Sequence, residues 1–294
     1  MKLTLKQFLF EGGKATEQHG TVRATKEDML VAIKSISEVT GKSEDLIQAS
    51  ILGSGRLTLL GKQADSGDMD VALLDVNKEE IVKKLEDKTG IKARAIGGST
   101  FSFAVPTKNN RKIQVDLMFV PSLDWAVFSH YAAEDSKHKS GVRNELLHAA
   151  LKHTMTPGED VRVKDENGHD IVRATWSYDL INGLKRIFKI SKKRKDGKGR
   201  VKGTEHVTPE EVEKTLKELN RNDKFKKEQE VILEPKVFAE LLFGRGTTEA
   251  DLGSTENLIN LINKRQDKDK ILKDAVAGIK ARNFKVPDEL RSYE

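Results

Sequence analysis

Cysteine is absent from this 294-residue chain, which excludes disulfides and thiolate-bound metals and accords with a reducing cytoplasm as the expected compartment. The seven histidines show no metal-ligand spacing, so His148 and His153, each alone on a helical stretch, read as surface or core residues and not as ligands. Long apolar runs are missing too. Residues 71–74 and 237–243, the latter interrupted by Glu240, fall far short of the roughly 20 residues that cross a bilayer. Residues 1–10 have too short an apolar region and no small-residue cleavage site, so no secretory signal is expected there. No internal repeat is visible at a period of about 20 to 50 residues.

What the chain has in quantity is charge. Charged residues make up 33% and apolar residues 37%, the balance of a soluble protein with a real core and a heavily solvated surface. The net charge of +6 is unevenly placed. Residues 182–204 hold ten Lys or Arg against the single Asp196, a local +9, which leaves −3 for everything else. The length exceeds what one ordinary core holds and predicts two folded units. Residues 1–20 read as a tail, 21–155 as a catalytic domain with leading helices, and 156–294 as a mostly helical domain bearing the basic tract.

Local patterns fill in this plan. Thr25 before Lys26, Glu27 and Asp28 reads as a helix N-cap, with Met29, Leu30, Ile33 and Ile36 following, and Ser43 starts a second short helix carrying Leu46 and Ile47. Residues 70–74 form a short apolar run, 100–105 alternate, and 112–120 alternate with Ile113, Val115, Leu117 and Phe119 on one face. Between the first two, Ile81 and Leu85 have helical spacing, and residues 141–152 carry the stripe Leu146, Leu147, Ala150 and Leu151. The order strand, helix, strand, strand predicts an α/β (α+β) fold with a small mixed sheet covered by helices on one side. Thr156-Pro157-Gly158 marks the domain boundary, and Asn167-Gly168 is a hairpin signal. Further helices are predicted to open at Thr208, Glu234, Ser254 and Asp267.

The segment that carries chemistry is Gly53-Ser54, thirteen intervening residues, then Asp68-Met69-Asp70 at a strand start, with Asp116 on a later strand. Residues i and i+2 of a strand point to one face, so Asp68 and Asp70 present their carboxylates side by side. Asp116 lies on the polar face of its alternating strand, and if the two strands are neighbours its carboxylate joins them. Three converging carboxylates repel unless cations neutralise them, and oxygen ligands of this kind suit Mg²⁺. A pair of such ions about 4 Å apart clamps the attacking and leaving oxygens of an in-line phosphoryl displacement. A Gly53 turn lets backbone approach a phosphate closely, and the Ser54 hydroxyl can donate to the outer oxygens.

These residues bring a family into view. Gly53-Ser54 with Ser66-Gly67-Asp68-Met69-Asp70-Val71 resembles the palm of the DNA polymerase beta superfamily of nucleotidyltransferases, and Val115-Asp116-Leu117 resembles its third-carboxylate strand. The Ser-Gly-Asp-Met-Asp-Val string is most similar to the family X polymerases. The resemblance covers roughly residues 45 to 150. It implies a nucleotidyltransferase palm in which Asp68, Asp70 and Asp116 hold two Mg²⁺ or Mn²⁺ ions, with Asp116 serving the one at the attacking hydroxyl. It also implies that Gly53, Ser54 and Arg56 contact the triphosphate of an NTP, ATP included, or a dNTP, and that Arg143 and Asn144 touch its sugar and base. The gap from Ser54 to Asp68 is longer than in the family X polymerases, and no paired helix-hairpin-helix module or lyase-like domain is visible. Those departures argue for a minimal or untemplated transferase.

The acceptor is read from the basic tract. Lys185, Arg186, Lys192, Lys193, Arg194 and Lys195 are placed to neutralise phosphates, pointing to an RNA or DNA 3′ end as acceptor, although Phe188, Trp176 and Tyr178 are the few aromatics near enough to stack on bases. The alternatives are a small molecule or protein as acceptor, or a non-catalytic nucleic-acid-binding or virion-packaged protein. The start, with Leu9-Phe10-Glu11 before Gly12, resembles the targeting peptides by which some tailed bacteriophages package proteins into their heads. That resemblance implies a bacteriophage protein, made in the host cytoplasm, packaged in the virion and cut after Glu11.

Overall fold

The computed structural model describes residues 15–131, 138, 140–154, 162–164, 170–193, 201–220 and 231–294. After a two-residue strand β1 (Ala24–Thr25), the Thr25 hydroxyl accepts from the Asp28 N–H and the Asp28 carboxylate accepts from the Thr25 N–H. This capping box, worth about 1 kcal/mol, starts α1 (Lys26–Thr40), whose Met29, Ala32, Ile33 and Ile36 are buried. Helix α2 (Glu44–Ala49) is capped by the Ser43 hydroxyl, and α3 (Gly53–Leu59) follows. The last was not legible in the sequence, because Gly53, Ser54 and Gly55 are weak helix formers. Its fold-back is fixed instead by Gln63, whose amide donates to the carbonyls of Ser54 at 3.0 Å and Asp65 at 2.9 Å.

Strand β2 (Asp65–Ser66) pairs with β1, and the chain continues through β3 (Met69–Leu73), α4 (Lys78–Thr89), β4 (Arg94–Ala95), β5 (Thr100–Pro106) and β6 (Lys112–Phe119). The last four strands form a sheet in the order β3-β6-β5-β4, with β3 and β6 parallel and the other pairs antiparallel. This is the small mixed sheet expected from the element order. One face, with Met69, Val71, Leu73, Phe103, Val105, Ile113, Val115 and Leu117, packs on Met29, Ile33, Ile36 and Ile47 from α1 and α2 and on Leu85 from α4. Each of these side chains contributes roughly 1.5–3 kcal/mol by leaving water. The opposite face carries Asp70, Ser102, Gln114 and Asp116, with Ala72 and Met118 further along the same strands packed against Ala126.

Ala126 belongs to α5 (Leu123–Ser129), which ties this sheet to the rest of the molecule. The indole N–H of Trp125 donates to the Asp179 carbonyl at 2.9 Å, and the rings of Trp125, Phe128, Tyr178 and Phe238 meet with centroids 5.3–5.9 Å apart. Around this aromatic cluster pack α6 (Ser140–Lys152), α8 (Pro235–Phe243), α9 (Thr255–Asn263) and α10 (Lys268–Ala281), with α7 (Pro209–Glu218) in a smaller cluster beside Phe188. The helix starts expected at Thr208, Glu234, Ser254 and Asp267 are all N-caps.

The expectation of a mostly helical C-terminal unit needs one correction. A five-stranded antiparallel sheet runs β10-β9-β8-β7, formed by β7 (Arg162–Lys164), β8 (Asp170–Asp179), β9 (Gly183–Lys193) and β10 (Val201–Val207), with β11 (Val231–Ile232) also on β9. Much of the basic tract is therefore strand. Its alternation is hidden because a cation, Arg186, sits among the inward positions Leu184 and Phe188. The Thr156-Pro157-Gly158 boundary and the Asn167-Gly168 signal lie outside the described residues, as does the Leu9-Phe10-Glu11 pattern. Among the described residues no helix is long and apolar enough to cross a membrane.

Candidate metal centre

The parallel pairing of β3 with β6 sets Asp70 directly opposite Asp116, and Asp68 lies two residues before Asp70. Carboxylate oxygens of Asp68, Asp70 and Asp116 all come within 4.8 Å of one another. Asp116 is 8% exposed, and Asp68 and Asp70 are half-buried. The strand alternation thus delivers what it promised, with one difference. Residues 113–118 are buried on both faces, so the polar face of β6 is the floor of an enclosed site and not a solvent surface.

The electrostatics follow from this enclosure. Burial raises the pKa of Asp70 well above the usual carboxylate range, and the charges of Asp68 and Asp116 raise it further. Burial likewise pushes Asp116 up to about 7, with Asp68 adding to the rise while Ser102 and Gln114 oppose it. Among the described residues no lysine or arginine forms an ion pair with Asp70 or Asp116. The donor set is three oxygen anions, without nitrogen or sulfur, which matches hard divalent cations such as Mg²⁺ or Mn²⁺. Bound cations would relieve the mutual repulsion of the three carboxylates.

The Gly53 turn lies over these carboxylates for a reason written in the backbone. Residues 50–52 run antiparallel along β3, with the Leu52 N–H donating to the Asp70 carbonyl at 3.0 Å and the Ala72 N–H to the Ser50 carbonyl at 2.9 Å. The chain then turns at Gly53 with φ of 55°, and a Cβ there would stand 3.6 Å from Asp70 Oδ2. A side chain would be strained by this positive φ, while its Cβ would stand at ordinary contact distance from the carboxylate. Ser54 is exposed, and its hydroxyl meets that of Ser66 at 2.5 Å, which ties the turn to the strand that leads into Asp68.

The remaining predicted residues separate. Arg56 is exposed on α3 and, with Gly53, His130 and Tyr131, lines a cavity of about 170 Å³. Arg143 and Asn144 are placed inside the C-terminal core. Arg143 is 2% exposed, donates to the carbonyls of Leu252 at 2.6 Å and Phe128 at 3.0 Å, and stacks over the Phe128 ring. Asn144 donates to the Ser129 carbonyl at 3.1 Å. Both side chains join α6 to its neighbours and are not turned toward the carboxylates. Of the basic tract, Lys185 is exposed, whereas Arg186 is 3% exposed and lies over the Phe188 ring. Lys192 and Lys193 fall on β9, and Arg194 and Lys195 lie outside the described residues. His148 packs against the Tyr178 ring, and His153 meets Asp274 at 2.7 Å, so neither is near the carboxylates.

The sequence reading missed Gln114 and Ser102, whose side chains share the carboxylate face, and Tyr131. Gln114 had a usable signal, since it stands two residues before Asp116 on the same strand face. Val127 and Tyr131 also line a second cavity, of about 740 Å³, with Phe128, Asp124, Glu234, Lys236 and Glu249 among its walls. No protein-family model matches the chain, and no curated protein matches it.

Proposed function

We propose that the protein is a metal-dependent nucleotidyltransferase that moves a nucleoside monophosphate from an NTP or dNTP to a hydroxyl. The observation that carries this reading is the convergence of Asp68, Asp70 and Asp116 within 4.8 Å under a glycine turn at φ of 55°. The resemblance of these same segments to the DNA polymerase beta superfamily supports it. Two divalent ions held by Asp68, Asp70 and Asp116 would supply charge neutralisation for the attacking and leaving oxygens at phosphorus. In the reaction, an oxygen–phosphorus bond forms from the acceptor hydroxyl to the α-phosphorus, and the bond to the pyrophosphate leaving group breaks. The chain's own part is positional. Gly53 lets the backbone turn at positive φ beside Asp70, Ser54 and Arg56 offer a hydroxyl and a guanidinium to the phosphates, and Asp70 and Asp116 fix the donor oxygens on two hydrogen-bonded strands.

Two acceptors are compatible with this chemistry. The exposed Lys185 and the density of cations through residues 182–204 favour a nucleic-acid 3′ end. The 740 Å³ cavity favours a small molecule, because it adjoins the Gly53 side through Val127 and Tyr131 and is of ligand size. Its walls hold three carboxylates, Asp124, Glu234 and Glu249, against one amine, Lys236, a lining that repels a phosphate backbone and attracts an amine-bearing compound. Packaging in a bacteriophage head remains part of the proposal from the N-terminal resemblance alone.

Incubation with each labelled NTP and dNTP, Mg²⁺, a mixed RNA and DNA primer pool and an amino-sugar pool tests activity and acceptor together. Labelled product that vanishes in the Asp68→Asn, Asp70→Asn double variant supports the reading. A double variant that transfers label as well as the parent refutes it.

A further inference from the structure

Asp116 does not hold its position unaided. Its neighbour on the same strand face, Gln114, is 2% exposed, and the Gln114 Nε2 group donates to Asp116 Oδ1 at 3.1 Å and to Oδ2 at 3.2 Å. At its other end, Gln114 Oε1 accepts from the Thr16 N–H at 3.2 Å and from the Thr16 hydroxyl, also at 3.2 Å. Thr16 is itself buried, at 2% exposure. A backbone N–H can only donate, so its presence fixes which way the Gln114 amide faces: oxygen toward Thr16, nitrogen toward the carboxylate. The segment bearing Thr16 is in turn pinned to the sheet. The Ala15 carbonyl accepts from Arg94 at 3.1 Å, and the Val22 N–H donates to the Lys112 carbonyl at 2.8 Å, in a parallel bridge between Val22 and Ile113.

We infer that Gln114 is a positioning residue for the metal centre and that Thr16 makes the N-terminal segment part of that centre. This rests on the metal-centre reading of Asp68, Asp70 and Asp116. The relay runs from Thr16 through Gln114 to both oxygens of Asp116, and it has the form expected of an outer shell around a ligating carboxylate: a neutral donor that limits rotation without competing for the ion. A lysine or arginine in the place of Gln114 would orient Asp116 equally well but would neutralise it and oppose cation binding. The neutral amide keeps the anion available. The fourth group on this face, the buried Ser102 hydroxyl, also lowers the Asp116 pKa, but the two bonds from Gln114 are the ones with well-formed geometry.

The test is Mn²⁺ titration of the full chain by calorimetry, with melting temperature in EDTA recorded for each protein. Gln114→Leu is expected to weaken Mn²⁺ binding by about 10-fold or more, the usual effect of removing such an outer partner. Thr16→Val, which leaves the backbone donor in place, is expected to weaken it by roughly 2- to 10-fold, as for the loss of one hydrogen bond. Gln114→Leu leaves the buried Thr16 N–H without its acceptor and is expected to lower the metal-free melting temperature, whereas Thr16→Val should leave it close to the parent's, so an affinity loss in Thr16→Val is one that a merely structural role would not produce. Should Gln114→Leu not fold, Thr16→Val and Gln114→Asn decide the matter by the same readout. Parent-like Mn²⁺ affinity in the folded variants would overturn the relay and leave the metal centre standing. A parent protein that binds no Mn²⁺ would overturn both.

Discussion

Arg143 and Asp116 are buried to a similar degree, 2% and 8% exposed, and the protein treats their charges in opposite ways. Around Arg143 the fold provides for the cation: the carbonyls of Leu252 and Phe128 accept from it and an aromatic ring lies beneath it, with Nη2 alone left without a partner. Around Asp116 the fold gathers two further carboxylates and a neutral amide, and no ion pair reaches it among the described residues. Removing a charge from water costs several kcal/mol in either case. In the first site that cost is offset internally, which is how a structural charge looks. In the second it is left standing, which is how a site for an external cation looks.

The two buried charges should differ most in their effect on activity. Asp116→Asn should preserve the fold and reduce nucleotidyl transfer on the order of 100-fold or more, because an anionic oxygen is removed where transition-state charge must be balanced. Steady-state transfer assays at saturating Mg²⁺ check this. Arg143→Met should do the reverse: lower unfolding stability by about 2–4 kcal/mol in denaturant titrations, since the Leu252 and Phe128 carbonyls lose their donor, while Mg²⁺-induced stabilisation persists. If Arg143→Met instead abolished the Mg²⁺ response and left stability unchanged, the two sites would have been assigned the wrong way round.

pH sharpens the contrast, because the two regions respond with opposite sign. The folded-state pKa of Asp116 is raised to about 7, so its contribution is fully present below the unfolded value near 4 and is lost as pH rises to 7. Metal-free protein should therefore lose stability across that window, and Asp116→Asn should flatten the loss by about 2 kcal/mol or more. His148, desolvated against Tyr178, is depressed to about 4, so its neutral form favours the folded state above pH 6.5 and that advantage disappears as pH falls toward 4. His148→Gln should flatten the acid side and leave the neutral side unaltered. Thermal melts in EDTA from pH 4 to 8 distinguish the two.

What was legible in the sequence follows the same division. The carboxylate pair was readable because the extended chain entering β3 carries Asp68 two residues before Asp70, and the alternation of Ile113, Val115 and Leu117 put Asp116 on the other face of β6. Helix starts were readable from local caps such as Thr25, Ser43 and Thr208. Roles that depend on distant partners were not. Arg143 and Asn144 looked like ligand contacts because nothing local announces that carbonyls of residues 128, 129 and 252 will claim them. The C-terminal sheet was obscured where Arg186 occupies an inward position by lying over Phe188. Helix α3 depends on Gln63 closing the loop from outside the helix.

The smallest expected effect concerns a third kind of charge, the cations of the basic tract. Neutralising Lys192, Lys193, Arg194 and Lys195 together should leave stability and Mg²⁺ response unchanged. It should reduce the salt dependence of RNA or DNA binding by about 0.9 log units for each phosphate that the protein no longer neutralises. Filter binding over a range of KCl concentrations measures the slope. An unaltered slope would favour the carboxylate-lined cavity, and with it a small-molecule acceptor.

Anomalous diffraction from crystals grown with Mn²⁺ and a non-hydrolysable NTP decides whether Asp68, Asp70 and Asp116 form a divalent-cation site. Anomalous peaks are expected between the three carboxylates, with metal–oxygen distances of about 2.1 Å and the two ions about 4 Å apart, and they should be lost in Asp70→Asn. Well-ordered carboxylates with no anomalous density between them, at millimolar Mn²⁺ and with nucleotide bound elsewhere, would contradict such a site.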